Sequence, residues 1–412
     1  MRALKIALLS RWYAEEHRRT GGTGTVQELA EAVAALGHEV VVLSQNKSVP
    51  ALEKAKPGEF GSLEVWLSPR EKRRGGWTGL RDRLAKRRYG HRKVISDALD
   101  LRDFLAARGP FDALWAQCEE PDGLVAAMAA DMGGFLPPTL TQIYALRYRF
   151  SPDKGTVDGF TGQASLGAAF AHAARILADS EMVALDLEAY ASSAVSVEQL
   201  RAKTRVVYHN LQSEFLSTIP ADGVTPEPGR VLFLGALNEK KGALVFLDAV
   251  GKLADSLAAT FAVIGGTTER NSAFDHAWAT RLATARSSGA TLELLGKISP
   301  AEVIAQIRRA SVVVLPSLYD EFSRALAEAL VLGRPVVTTK TVGAAALARN
   351  AQAGVVVPPG DADALAQGIR QVLGGLGHFM ENARMSAPRL AHELSPHAIA
   401  LQIARHLSEI VP

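Results

Sequence analysis

The sequence predicts an α/β protein of two doubly wound, Rossmann-like domains, and three observations carry that expectation. Short apolar runs alternate with stretches of helical spacing along most of the 412 residues. The first crossover is rich in glycine. A polar, proline-containing joint divides two similar series of runs. At about 100–200 residues per domain, the length suits two or three domains. A hydrophobic fraction of 48% supplies sizeable cores, which excludes disorder and coiled coil as dominant states.

The first run, KIALLS from Lys5 to Ser10, reads as a buried parallel strand. A loop carrying Gly21-Gly22-Thr23-Gly24 follows, and VQELAEAVAALG then has helical spacing that stops at Gly37. EVVVLS completes a βαβ unit. The alternation resumes at ALWAQ near Leu114, TLTQIY near Leu140, ARILADS near Ile176 and TRVVYHN near Val206. TIPADGVTPEPGR, Thr218 to Arg230, has no apolar period and reads as the linker. Beyond it a second series runs through VLFLGAL, TFAVIGG, TLELLG, SVVVLPS, PVVTT and AGVVVPP. SPHAIALQIARHLSEI reads as an amphipathic helix with a Ser-Pro start signal. Ligands of open α/β sheets sit outside the carboxyl ends of the strands, so function is expected in the loops there, facing a cleft between the domains.

Forty-six Lys and Arg against 43 Asp and Glu give a net charge of +3 and no strong overall field. Between Arg70 and Lys93, however, eleven basic residues meet only Glu71 and Asp82. That excess suits an anionic membrane surface or an acidic acceptor, although a solvated helix face is the reading the sequence favours. Trp77, Leu80 and Leu84 give this stretch an apolar edge. Stacking aromatics are limited to Trp77 and Tyr89, which weighs against nucleic acid. The lone Cys118 forms no intrachain disulfide, and no Cys/His spacing suggests zinc. The opening MRALKIALLSRW meets charged EEHRR instead of a signal-peptide cleavage site, and no run reaches the roughly 18 apolar residues of a membrane span. A soluble, cytoplasmic protein is expected.

The chemistry concentrates in VVVLPSLYDEFSRALAEALVLGRPVVTT. A strand ends at Pro316-Ser317, a loop carries Asp320-Glu321-Phe322-Ser323, a helix follows, and Gly333-Arg334-Pro335 leads into the next strand. Carboxylates are poor phosphate ligands but good acceptors for sugar hydroxyls, and first-turn N–H groups of a helix hold phosphate. One strand-loop-helix can thus grip a nucleotide sugar at its sugar, diphosphate and ribose. The same residues also fit an ordinary helix cap at Asp320 and an i,i+4 partner of Arg324 at Glu328.

This block resembles the nucleotide-sugar site of glycosyltransferase family 4, retaining enzymes of the two-domain GT-B fold. The family pattern is Glu-Gly-Phe-Gly, a second Glu followed by Ala, then a Gly-x-Pro-Val-Val strand. Asp320 takes the first acid's place, while Phe322, Glu328-Ala329, Gly333, Pro335, Val336 and Val337 match. Glu321 and Ser323 stand where the family has glycines. The resemblance implies that Asp320 contacts the donor sugar and Glu328 the ribose hydroxyls, with Glu321, Phe322, Ser323 and Arg324 in the donor loop. Gly235 to Gly242 resembles the family's Gly-Arg-Leu…Lys-Gly segment. Lys241 is then the cation facing the diphosphate leaving group. The family's Arg position holds Ala236, with Lys240 or Arg324 as candidates for the missing charge. Lys297-Ile298 falls at the base-contacting loop.

Other matches spread along the chain. Gly21-Gly22 and Gly37-His38-Glu39-Val40 resemble the family's opening block, where Gly22 would approach the donor phosphate. Ser180 falls at the family's Val-Ser motif and Asn210 at its Pro-Asn-Gly-Val motif. VVVPPGDADAL resembles the block after the last core strand, and Asp361-x-Asp363 reads as a helix N-terminus in preference to a metal pair. Tyr144 aligns with a His that touches the donor sugar; a phenol donates a hydrogen bond but accepts protons poorly near neutral pH. Glu119 and Glu120 are candidate acceptor-binding carboxylates or exposed loop acids.

The resemblance implies an acceptor-binding domain over residues 1–212, a nucleotide-sugar domain over 213–395, and a helix at 396–412 returning to the first. It implies a retaining, metal-independent hexosyltransferase with no cofactor, acting in cell-envelope glycan or glycolipid synthesis. The donor would be a UDP or GDP sugar and the acceptor a glycan or lipid-linked hydroxyl. The enzyme would be cytoplasmic, with a peripheral contact at the inner face of the plasma membrane through residues 70–93. A GT-B epimerase or hydrolase would share the same form. A catalytically degenerate sugar-nucleotide-binding subunit fits Ala236 and Tyr144.

Overall fold

The structure, a computed structural model, describes residues 2–10, 23–44, 62–67, 94–119, 121–133, 135–145, 167–217, 225–267 and 272–412. These divide into two compact units, Met1–Ser213 with Leu394–Pro412, and Glu214–Glu393.

The first unit holds seven strands: β1 (Lys5–Ser10), β2 (Glu39–Ser44), β3 (Ser62–Leu67), β4 (Ala113–Glu119), β5 (Thr139–Ala145), β6 (Arg175–Ala178) and β7 (Thr204–Val206). They form one parallel sheet in the order β3-β2-β1-β4-β5-β6-β7. The unbroken apolar runs arise because both faces of the sheet are covered. Ile6 and Leu8 of β1, with Val40 and Val42 of β2, enter a core on one face. Ala7, Leu9, Val41 and Leu43 enter a second core on the other. The helix Thr23–Ala35 contributes Val26, Leu29 and Val33 to the first core. The helix Pro396–Ile410 completes it with Ile399, Ile403 and Leu407. Ser395 starts that last helix, its hydroxyl accepting from the Ala398 N–H at 3.2 Å. His38 accepts from the Leu4 N–H through Nδ1 at 3.1 Å, and burial lowers the imidazole's pKa, so the ring works as a neutral bracket between β1 and β2.

The second unit holds β8 (Arg230–Leu234), β9 (Thr260–Ile264), β10 (Thr291–Gly296), β11 (Val312–Leu315), β12 (Val336–Thr339) and β13 (Gly354–Val357). All pairings are again parallel, in the order β10-β9-β8-β11-β12-β13. Val231, Phe233, Val263, Val312 and Val314 lie at the centre of its core. Arg230, which the sequence places in the linker, is the first residue of β8. Its buried guanidinium is fixed by Glu293 at 2.7 Å and Gln306 at 2.9 Å. The chain leaves β8 in one direction along the sheet and returns to lie beside it as β11. That reversal is the switch point at which open α/β sheets leave room for a ligand.

Candidate active site

The switch point brings the loop after β8 against the loop after β11. Leu318 donates its N–H to the Lys240 carbonyl at 2.8 Å. Gly242 has φ 70°, and a Cβ there would lie 1.9 Å from the Pro316 carbonyl oxygen, so no larger residue fits without moving the loops apart. Asn238 shapes the turn by accepting the Lys241 N–H at 2.9 Å. The result is two consecutive ion pairs. Lys241 Nζ lies 2.6 Å from Asp320 Oδ2, and Lys240 Nζ lies 3.2 Å from Glu321 Oε2. Lys240 also sits 5.6 Å from the centroid of the Tyr319 ring. The carboxylates are buried and the lysines partly exposed. Partly screened pairs of this kind contribute little to stability, but a buried carboxylate without its cation is costly. The acidic loop is braced from behind as well. The Asp320 N–H donates to Thr341 O at 3.0 Å, and the Ala344 N–H donates to Phe322 O at 2.7 Å.

Asp320 is therefore not the cap of the following helix, Arg324–Val331. That position falls to Ser323, at φ 68° and ψ 83°, with no side-chain capping bond. A left-handed conformation costs a residue with a Cβ roughly 1–2 kcal/mol, and such strain is typical of binding loops. The helix's first turn presents N–H groups without intrahelical acceptors. Phe322 is buried and anchors the loop. Glu328 is half-buried; burial raises its carboxyl pKa, and the Arg324 charge one turn earlier opposes the rise. At the ends of β9 and β10 the backbone closes in further. A Cβ on Gly265 would lie 1.9 Å from Gly235 O, and one on Gly266 would lie 2.7 Å from Lys297 Cε. The exposed Lys297 thus lays its stem over Gly266, with Ile298 following half-buried.

In the first unit Tyr144 lies within β5, not in a loop after it. Its ring meets His209 with centroids 4.9 Å apart, and Gln117 Nε2 lies 3.5 Å from the phenol oxygen. Burial pushes the phenol far above its ordinary pKa and the charge of Asp179 adds to this, against a hydrogen bond with Gln142. His209 carries no spacing signal in the sequence and reaches Tyr144 only through the fold. Asn210 Nδ2 donates to Glu28 Oε2 at 3.3 Å. Ser180 caps the helix Glu181–Asp186, its hydroxyl accepting from the Val183 N–H at 3.2 Å. Glu119 is the last residue of β4 and so not a loop acid. Gly22, Glu120 and the basic stretch 70–93 lie outside the described residues. Asp361 caps the helix Ala362–Gly374 by accepting from the Ala364 N–H at 2.8 Å, and Asp363 pairs with Lys252 at 2.7 Å. Among the described residues no three His, Cys, Asp or Glu side chains are grouped to hold a metal ion.

Two Rossmann-like parallel-sheet units, the second with a charged switch-point site, define the GT-B class of fold. Solved structures agree. Sucrose-phosphate synthase from Thermosynechococcus elongatus superposes with a TM-score of 0.71 at 19% identity, covering 98% of each chain. The Anabaena protein HepE, solved with UDP and glucose, gives 0.64 at 17% identity over 98% of this chain and 99% of its own. The sequence matches the family described as Glycosyl transferase 4-like domain over residues 20–202, and Glycosyl transferases group 1 over residues 228–374. The chain belongs to the GT4-type glycosyltransferases. A glycogen synthase of Mycobacterium tuberculosis is 28% identical over 179 residues, which is 43% of this chain and 42% of the relative. The chain thus spans less than half the length of that curated relative.

Proposed function

We propose that the protein is a retaining glycosyltransferase that moves a hexosyl group from a UDP or GDP sugar to a hydroxyl acceptor in cell-envelope glycan or glycolipid synthesis, with no metal ion or cofactor. The observation that carries this reading is the 2.6 Å contact between Lys241 Nζ and Asp320 Oδ2 at the switch point. An ammonium there offsets the negative charge that grows on the diphosphate as the bond to the sugar's C1 breaks. Once the diphosphate shares Lys241, Asp320 is released to accept sugar hydroxyls. Glu328 accepts from the ribose, the helix start at Ser323 and Arg324 takes phosphate oxygens, and Lys297-Ile298 meets the base. That HepE was solved with UDP supports a nucleotide sugar as donor.

The transfer runs on one face of the sugar. The acceptor oxygen bonds to C1 from the side the phosphate leaves, and a phosphate oxygen takes the acceptor proton. The products are the glycoside, with its anomeric configuration kept, and the nucleoside diphosphate. Tyr144 serves as a hydrogen-bond donor in this scheme, in keeping with a phenol whose pKa is raised by burial. Gly22 belongs to the donor side, Glu119 and Glu120 to the acceptor side. The basic residues between Arg70 and Lys93 are the proposed contact with the anionic inner leaflet of a cytoplasmic enzyme's membrane.

A thermal-shift panel of UDP, GDP, ADP and TDP sugars tests the donor, since a ligand binding only the native state raises its melting temperature. One nucleotide class is expected to stabilise the protein, and product analysis with candidate acceptors to show transfer with retention. Stabilisation by no donor would sink the reading. Binding with neither transfer nor slow donor hydrolysis would favour the degenerate binding subunit.

A further inference from the structure

We propose that Lys240 and Glu321 form a charge-balanced selector beside the donor sugar, which disfavours donors whose sugar carries a carboxylate. This rests on the donor reading above, because it takes the sugar to lie at Asp320. The two lysines are consecutive, the two acids are consecutive, and each lysine reaches one acid across the same pair of loops. The four charged ends therefore lie along one seam, two positive and two negative. Lys241 has its task in the diphosphate. Lys240 is held elsewhere: by Glu321, by the face of Tyr319 at 5.6 Å, and through its carbonyl by the Leu318 N–H at 2.8 Å.

Glu321 is 8% exposed, and its neighbour in the chain is the acid proposed to hold the sugar. The family pattern has glycine at this position, which needs no cation. A buried carboxylate does need one, and Lys240 meets that need. A sugar at Asp320 thus meets a second carboxylate able only to accept hydrogen bonds. Hydroxyl and amino substituents satisfy it. A uronate brings a like charge and is repelled, so specificity arises from rejection as much as from attraction.

The test measures dissociation constants of UDP-glucose and UDP-glucuronic acid by calorimetry, with GDP counterparts if the panel selects guanine. Wild type, Glu321→Gln, Lys240→Met and the double variant are compared. Glu321→Gln leaves the Lys240 charge facing the sugar, and the uronate donor is expected to gain about tenfold relative to the glucose donor. That is the size expected of one unit charge a few ångströms away under partial solvent screening. Lys240→Met is expected to move the ratio in the opposite direction, and the double variant to fall between the wild type and Glu321→Gln, because it lacks the repelling carboxylate and also the attracting ammonium. A latch with a purely structural role would weaken both donors alike. Single variants that shift the ratio the same way, or by less than about twofold, overturn the proposal while leaving the donor reading intact. Should Lys240→Met fail to fold, Glu321→Gln decides alone. A wild-type protein that binds no nucleotide sugar overturns the donor reading, and this proposal with it.

Discussion

The carboxyl ends of the two sheets share a topology and differ in chemistry. After β8 and β11, four ionised side chains close into two pairs at 2.6 and 3.2 Å. In the carboxyl-terminal parts of β4 and β5 and just beyond β7, the side chains that meet are amides, a phenol and an imidazole: Gln117, Gln142, Tyr144 and His209, with Asp179 the charged member nearby. The first arrangement suits a ligand whose charge is fixed, and few residue types meet that demand. Neutral hydrogen bonding can be met by many combinations, so the second region is free to depart from a family pattern. The contrast teaches that a fixed charge constrains sequence more tightly than a set of hydroxyls.

The largest effect is expected at the charged end. Lys241→Ala should lower kcat by about 10²–10³-fold with a smaller change in donor affinity, as for a lost group that stabilises developing charge. Equal losses in kcat and affinity, or none, would break the contrast. Glu328 comes next. Its carboxyl pKa is raised by burial, so between the ordinary and raised values the folded chain holds a proton that the unfolded chain has released. Stability therefore falls as pH rises through that window and stays lower above it. Glu328→Gln should raise the melting temperature of the free protein at neutral pH, leave it unchanged below the ordinary carboxylate range, and weaken donor binding about tenfold. Melting curves against pH that show the variant less stable at neutrality would refute this.

At the neutral end the expected effect is smaller. Tyr144→Phe should lower kcat/KM about fivefold, one hydrogen bond's worth, with an unshifted pH profile because the phenol stays protonated across the working range. A displaced alkaline limb would show that the phenol titrates, and would make the two ends alike. The smallest effect concerns strain. Ser323→Gly removes the left-handed penalty at φ 68° while adding backbone freedom to the unfolded chain. A net gain of up to about 1 kcal/mol in urea unfolding is expected. A loss would mean that the serine hydroxyl has an undetected task.

Much of the fold was legible in the residues. KIALLS and EVVVLS correspond to β1 and β2 because burial on both faces leaves an unbroken apolar run. Asp361 was legible as a cap because its signal is local. The pairings of the site were not. Lys241 and Asp320 are 79 residues apart, and Lys240 and Glu321 are 81 apart, so only the sheet order brings them together. Sequence supplied the types of residue at each loop, and topology supplied who meets whom. His209 illustrates the limit: nothing near it in the chain announces Tyr144 as its neighbour. Arg230 shows the converse, since proline and glycine before it extended the apparent linker one residue into a strand.

Gly242 carries a consequence for how such a protein can change. The spacing of its two charged loops is gauged by peptide groups in direct contact, with no side chain between them. The width of the jaw is thus a constant, while the teeth at 240 and 321 are variables. New substrates can be explored by exchanging the two teeth together, so that no buried carboxylate loses its cation, and a single methyl group at residue 242 would end the exploration.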